Sequence, residues 1–178
     1  MKIENSVLNK KAVKEAVGNL LNNSIVILPT DTIYGLSSVV SLENARKINN
    51  IKKSNIDKKL IILISKLRHL TYMDIKIDKK IKNILMNSKE PTTILLKNKN
   101  NEVFGIRKPK RKDILKVINK TGPLFSTSVN YSGDIFKSTK KDLSDFAKEN
   151  QIKCFFWVGT LNNKASKLLD SDLNIIRN

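Results

Sequence analysis

Apolar residues recur along this chain in two rhythms. Ala12, Val13, Ala16, Val17, Leu20 and Leu21 stand at helical spacing within residues 9–22, with Lys10, Lys11 and Lys14 on the other face. That spacing predicts an amphipathic helix. Residues 25–28 then form a continuous apolar run, long enough for a buried strand and too short for a typical helix. Pro29 lacks the N–H that a sheet ladder needs and marks where pairing stops. Thr30, Asp31, Thr32, a tyrosine and Gly35 follow as a polar loop. Beyond it Ser41 suits a helix N-cap, with Leu42, Ala45, Ile48 and Ile51 facing one way.

The same reading carries on to the end of the chain. Residues 52–59 are a lysine-dense loop before a second buried strand at 60–64. Asp78 suits the cap of a short helix, and strands are predicted at 92–96 and 103–107. Only a polar turn at 98–101 separates those two, which predicts an antiparallel pair. A basic loop broken by Pro109 leads into a helix at 113–119, and Gly122-Pro123 punctuates the chain before a strand at 124–129. A helix at 139–149, a strand at 152–158 containing Trp157, and a short strand at 173–177 complete the pattern. There is no internal repeat and no linker-like stretch. Strands alternating with helices, some joined by hairpin-length turns, predict an α/β fold: a single domain over 1–178 with a mixed, largely antiparallel sheet.

Composition narrows the function classes. No apolar run approaches a membrane span, and the first residues, MKIENSVLNKK, carry no apolar core of a secretory signal. A cytoplasmic protein is the simplest expectation. Cys154 and His69 are each the sole residue of their type, so no internal disulfide and no Cys- or multi-His metal centre is expected. The net charge of +18 implies polyanionic company such as nucleic acid or phosphorylated ligands. Drift is an equal source of that charge, since the Lys, Asn and Ile usage is what an AT-rich genome would dictate.

Candidate chemistry lies at strand ends. In LFSTSVNYSG, period two places the hydroxyls of Ser126 and Ser128 on one face if both lie on a strand. Asn130 follows directly. Such groups suit phosphate, carboxylate or ammonium ligands, although a turn before Gly133 explains them equally. Lys52, Lys53, Lys58 and Lys59 read either as a solvated face or as a phosphate clamp. Arg107 ends a strand and could grip an oxyanion with two N–H groups. His69 reads as a surface or half-buried helix residue, and Cys154 as a core residue. There is no nucleophile–His–Asp set and no phosphate-cradling glycine loop.

Taken in order, PTDTIYGL, the lysine loop before LIILIS, PTTILL, GIRKP and GPLFSTSVNYSG resemble the YrdC/Sua5 family of threonylcarbamoyl-AMP synthases over nearly the whole chain. The length resembles the family's short form. The resemblance implies a twisted open α/β sandwich around a large cavity. It also implies a reaction joining L-threonine, bicarbonate and ATP into threonylcarbamoyl-adenylate and pyrophosphate, with Mg²⁺ expected on the phosphates. The product would pass to partner proteins that modify adenosine 37 of tRNA, with direct tRNA contact a possibility. By similarity, Thr30, Thr32, Ser126 and Ser166 fall on threonine-binding positions. Lys52, Lys53, Thr93, Ser128, Asn130 and Arg177 fall on ATP-binding ones. Lys52 and Arg107 are the expected catalytic cations, and Asp170 resembles the last residue of a family Ser-(x)3-Asp segment. The chain departs from the family at Ser54, where an arginine is usual, at Glu90, where a glycine is usual, and at Lys59. A non-catalytic RNA-binding module of the same fold is the alternative expectation.

Overall fold

The computed structural model describes residues 7–178; the expectation drawn from the first six residues lies outside them. Six helices and nine strands follow one another as α1 (Lys10–Leu21), β1 (Val26–Pro29), β2 (Tyr34–Val39), α2 (Leu42–Ile51), β3 (Ile61–Leu63), α3 (Arg68–Thr71), α4 (Lys79–Asn87), β4 (Thr92–Lys97), β5 (Val103–Arg107), α5 (Lys112–Thr121), β6 (Leu124–Ser128), α6 (Lys140–Glu149), β7 (Cys154–Phe155), β8 (Lys167–Leu169) and β9 (Ile175–Arg177). Short polar side chains start four of the helices. Asn9, Ser41, Asp78 and Thr139 each accept a hydrogen bond from a first-turn backbone N–H, satisfying a donor that the helix itself leaves unpaired.

All nine strands join one sheet in the order β7-β1-β2-β6-β3-β5-β4-β8-β9. Three pairings are parallel, β1–β7, β3–β5 and β4–β8. The others are antiparallel, so the sheet is mixed as expected. Successive residues along a strand go to opposite faces, and the cores follow that alternation. Leu63 and Leu124 join a cluster with Leu20, Ile114, Val117 and Phe146 from α1, α5 and α6. Ile62, Ile64 and Phe125 join another with Ile48, Ile81 and Leu85 from α2 and α4. Each face of the sheet is thereby buried under helices for part of its length.

Two sequence expectations change. The strand predicted at 152–158 pairs only at Cys154–Phe155; Trp157 leaves the ladder to stack on Tyr34, with centroids 5.6 Å apart and planes 7° from parallel. The loop predicted after Thr32 ends early, because Tyr34–Val39 runs as a strand between β1 and β6. Among the described residues no helix is long and apolar enough to cross a membrane.

Candidate active site

Leu124, Ser126 and Ser128 share one face of β6, so the two serines extend the sheet face that Leu124 buries beneath α1 and α5. Beyond the helices that face opens into a cavity of about 420 Å³. Ile61 and Leu63 supply apolar floor. Thr30, Thr32, Gly35, Arg107, Ser126, Ser128 and Asn130 supply most of the polar wall, and the 134–136 loop, Ser166 and Arg177 close the sides. The register explains the gathering. Arg107 lies between Leu63 of β3 and Thr93 of β4, while Gly35 is opposite Ser128.

Arg107 is 5% exposed. Its Nη2 is ion-paired with Asp31 and its Nη1 donates to Thr32 Oγ1 over 3.2 Å. Burial pushes the guanidinium below its ordinary range, and Asp31 opposes that shift. The Nε–H has no partner among the described residues, an uncommon state for a buried donor. The PTDT turn serves this arginine. Thr30 Oγ1 donates to the Ile33 carbonyl over 2.6 Å and accepts from the Thr32 and Ile33 N–H groups. With that proton committed, the 2.9 Å contact between the two hydroxyls has Thr32 donating, which leaves the Thr32 oxygen to accept from Arg107.

The serines differ in what they leave free. The Ser126 hydroxyl makes no hydrogen bond to any described residue. Ser128 Oγ donates to Asn130 Oδ1 over 2.7 Å, and Asn130 Nδ2 donates to the Asp134 carbonyl over 2.6 Å. Ser166 Oγ is 2.7 Å from Thr93 Oγ1, and Arg177 Nη2 donates to the Ser166 carbonyl over 3.0 Å. Thr93 is fully buried and stands behind the wall as the support of Ser166.

The lysine loop is placed differently from the sequence expectation. Lys52 is 3% exposed, and its Nζ points into the 128–130 segment rather than into the cavity. Lys53 Nζ sits 4.2 Å above the Tyr131 ring, away from the cavity wall. Ser54 hydrogen-bonds Asn49 Oδ1 over 3.2 Å. Asp170 accepts from Asn174 and from the Asp172 N–H in the β8–β9 turn, apart from the cavity. Sequence reasoning missed Tyr34, whose hydroxyl bridges the Gly159 carbonyl at 2.7 Å and the Val158 N–H at 3.0 Å. It also missed the Asp134–Phe136 side of the cavity. The tyrosine in PTDTIYGL was the available signal for the first. Nothing local marks the second.

Gly35 is a close approach. A Cβ there would lie 2.3 Å from Ser126 Oγ, so Gly35→Ala must push aside a cavity hydroxyl that makes no hydrogen bond to any described residue. The expected result is a KM for the hydroxyl's ligand raised tenfold or more, with stability lowered by about 1–3 kcal/mol for the forced repacking. Steady-state kinetics and thermal unfolding on the same preparation check both.

Hydroxyls, an amide, the buried Arg107 and the exposed Arg177 wall a cavity on the face of an open mixed sheet, which defines an α/β protein with a polar, cationic pocket. Residues 19–177 match the Sua5/YciO/YrdC family, described as "Telomere recombination", and the chain belongs to that family. A Methanocaldococcus jannaschii protein named "Putative threonylcarbamoyl-AMP synthase" is 34% identical over 137 residues, covering 70% of this chain and 63% of its own length. The fold is shared with P. abyssi Sua5 complexed with L-threonine (TM-score 0.78, 21% identity, 93% of this chain and 52% of that one). It is also shared with E. coli YciO (TM-score 0.75, 20% identity, 91% and 84%). The chain thus spans under two-thirds of the M. jannaschii relative and about half of Sua5.

Proposed function

We propose that this chain, acting as one domain, is a cytoplasmic threonylcarbamoyl-AMP synthase that condenses L-threonine, bicarbonate and ATP into threonylcarbamoyl-adenylate and pyrophosphate. The observation that carries the reading is the meeting, in one cavity, of the Ser126 hydroxyl, which makes no hydrogen bond to any described residue, with the buried guanidinium of Arg107. An amino acid offers the complementary groups: a carboxylate for the guanidinium, and polar hydrogens for the serine oxygen. The threonine complex of P. abyssi Sua5 and the name of the M. jannaschii relative support the same substrate.

In this scheme Arg107, Ser126 and the PTDT turn hold threonine while its amine captures carbon from bicarbonate, releasing water and giving a carbamate. A carbamate oxygen then attacks the α-phosphorus of ATP, and the bond to the pyrophosphate oxygen breaks. Positioning and charge neutralisation suffice for such a step, with no covalent enzyme intermediate. Ser128 and Asn130 on one side and Ser166 and Arg177 on the other would flank the nucleotide. Among the described residues no three His, Cys, Asp or Glu side chains are grouped to hold a metal ion. A magnesium ion would arrive on the phosphates of the nucleotide, as part of the substrate. The adenylate would serve partner proteins that modify tRNA.

Pyrophosphate release tests the reading. It should require threonine and bicarbonate together, and glycine, which lacks the side-chain hydroxyl, should support it poorly. Release that ignores the amino acid would overturn the assignment. Tight RNA binding without any release would favour the binding-module alternative instead.

A further inference from the structure

Lys52 ends α2, and everything its side chain reaches belongs to one short segment of another element. Its Nζ donates to the Ser128 carbonyl at 2.6 Å, the Asn130 carbonyl at 2.9 Å and Asn130 Oδ1 at 2.7 Å. An ammonium group has three N–H bonds, so these three acceptors use them all and none remains for a phosphate. The Lys52 carbonyl closes the same junction from the other side, accepting from the Ser132 N–H at 2.7 Å.

We propose that Lys52 is a positioning residue, which clamps the 128–130 segment and fixes how Ser128 presents itself to substrate without touching the nucleotide. The consequence is chemical. With Nζ on Asn130 Oδ1, the amide can point only its oxygen toward Ser128, and the Ser128 hydroxyl donates to that oxygen at 2.7 Å. The serine proton is then committed, and Ser128 faces the cavity as a hydrogen-bond acceptor. It suits a substrate N–H, such as an amine, and is unsuited to a phosphate oxygen. This assignment rests on the synthase reading for the identity of the substrate but not for the clamp itself.

The clamp also has a pH limit. Burial, with Lys58 close by, pushes Lys52 down to about 8. Next along the two segments, Lys53 lies over the Tyr131 ring and the Asp134 carbonyl accepts from Asn130 Nδ2. Above pH 8 the neutral amine keeps two N–H bonds for three acceptors, so the segment loosens as pH rises.

The test compares wild type with Lys52→Met and, as a control, Lys58→Met, whose Nζ reaches only Ser132 Oγ at 3.4 Å from an exposed position. Hydrogen–deuterium exchange on the ligand-free proteins should rise tenfold or more over residues 128–134 in Lys52→Met. It should stay within twofold of wild type in Lys58→Met. Should Lys52→Met fail to fold, the backbone carbonyl ¹³C shifts of Ser128 and Asn130 in wild type should move together with the Lys52 side-chain resonance as pH is raised; carbonyl shifts that stay flat while Lys52 itself titrates would overturn the clamp. In turnover, the ratio of wild-type to Lys52→Met rates should fall toward one between pH 7 and 9, since substrate ionisations cancel in the ratio. Unchanged exchange over residues 128–134 in Lys52→Met overturns the proposal. Neither exchange nor the carbon titration uses threonine or ATP, so an inactive wild type would overturn the synthase reading and leave the clamp standing.

Discussion

Replacing Arg107 with methionine is expected to lower threonine-dependent adenylate formation by about a hundred- to a thousandfold, the usual cost of removing a buried donor aimed at developing or fixed negative charge. It should also destabilise the protein by about 1–3 kcal/mol, because half-buried Asp31 would keep only the Lys110 N–H at 3.3 Å once the guanidinium is gone. The two effects separate in the double variant. Arg107→Met with Asp31→Asn removes both charges and should recover most of the stability while remaining inactive. If the double variant regains turnover, Arg107 serves only to neutralise Asp31, and the anion-binding role assigned to it is wrong. Denaturant unfolding and a threonine-dependent rate, measured on all three variants, supply the comparison.

The second large effect concerns stability alone. Asp113 is 3% exposed and lies in the first turn of α5. Its carboxylate accepts from the Ile114 N–H at 2.9 Å, from the Leu8 N–H at 2.8 Å, and from Arg111 Nε at 3.1 Å and Nη2 at 2.6 Å. It both serves the helix start, where Arg111 offers no side-chain cap, and ties the chain before α1 to α5. Asp113→Ala should cost about 3–5 kcal/mol, as breaking a buried pair does. Burial pushes the Asp113 carboxyl up, but Arg111 and the two backbone N–H groups more than offset it and leave it below the usual range. A depressed carboxyl contributes stability above its unfolded value, about 3.9, and that stability is lost as pH falls through the folded value. The wild-type protein should therefore lose stability below about pH 4 more steeply than Asp113→Asn. Parallel acid profiles would count against this role.

Local pattern made most elements legible in the sequence. The helices at 9–22, 113–119 and 139–149 and the strands at 92–96 and 103–107 lie within a few residues of where the structure has them, because apolar period and cap residues are local signals. β2 was not legible. Gly35, Ser37 and Ser38 are poor strand formers, and the segment is held by β1 and β6, whose register with it spans about ninety positions in the second case. β8 was missed for the same reason: three residues, 167–169, pair in parallel with β4 far back in the chain. The candidate site divides along the same line. Period two alone set Ser126 and Ser128 on a shared face, the strand-end position singled out Arg107, and the family resemblance supplied the roles of Arg107 and the PTDT turn. The environment of Lys52 was beyond reach, because a run of lysines reads as solvated surface unless a distant segment brings three oxygens to one of them.

The central claim is that one cavity joins threonine, bicarbonate and ATP. The most direct measurement incubates the protein with ¹⁴C-bicarbonate, threonine and ATP and separates the products by chromatography. The account predicts a labelled adenylate that forms only when threonine is present, accumulates in step with pyrophosphate, and falls at least tenfold in Ser126→Ala. Labelled adenylate formed equally without threonine, or no labelled product from a folded protein, would contradict it.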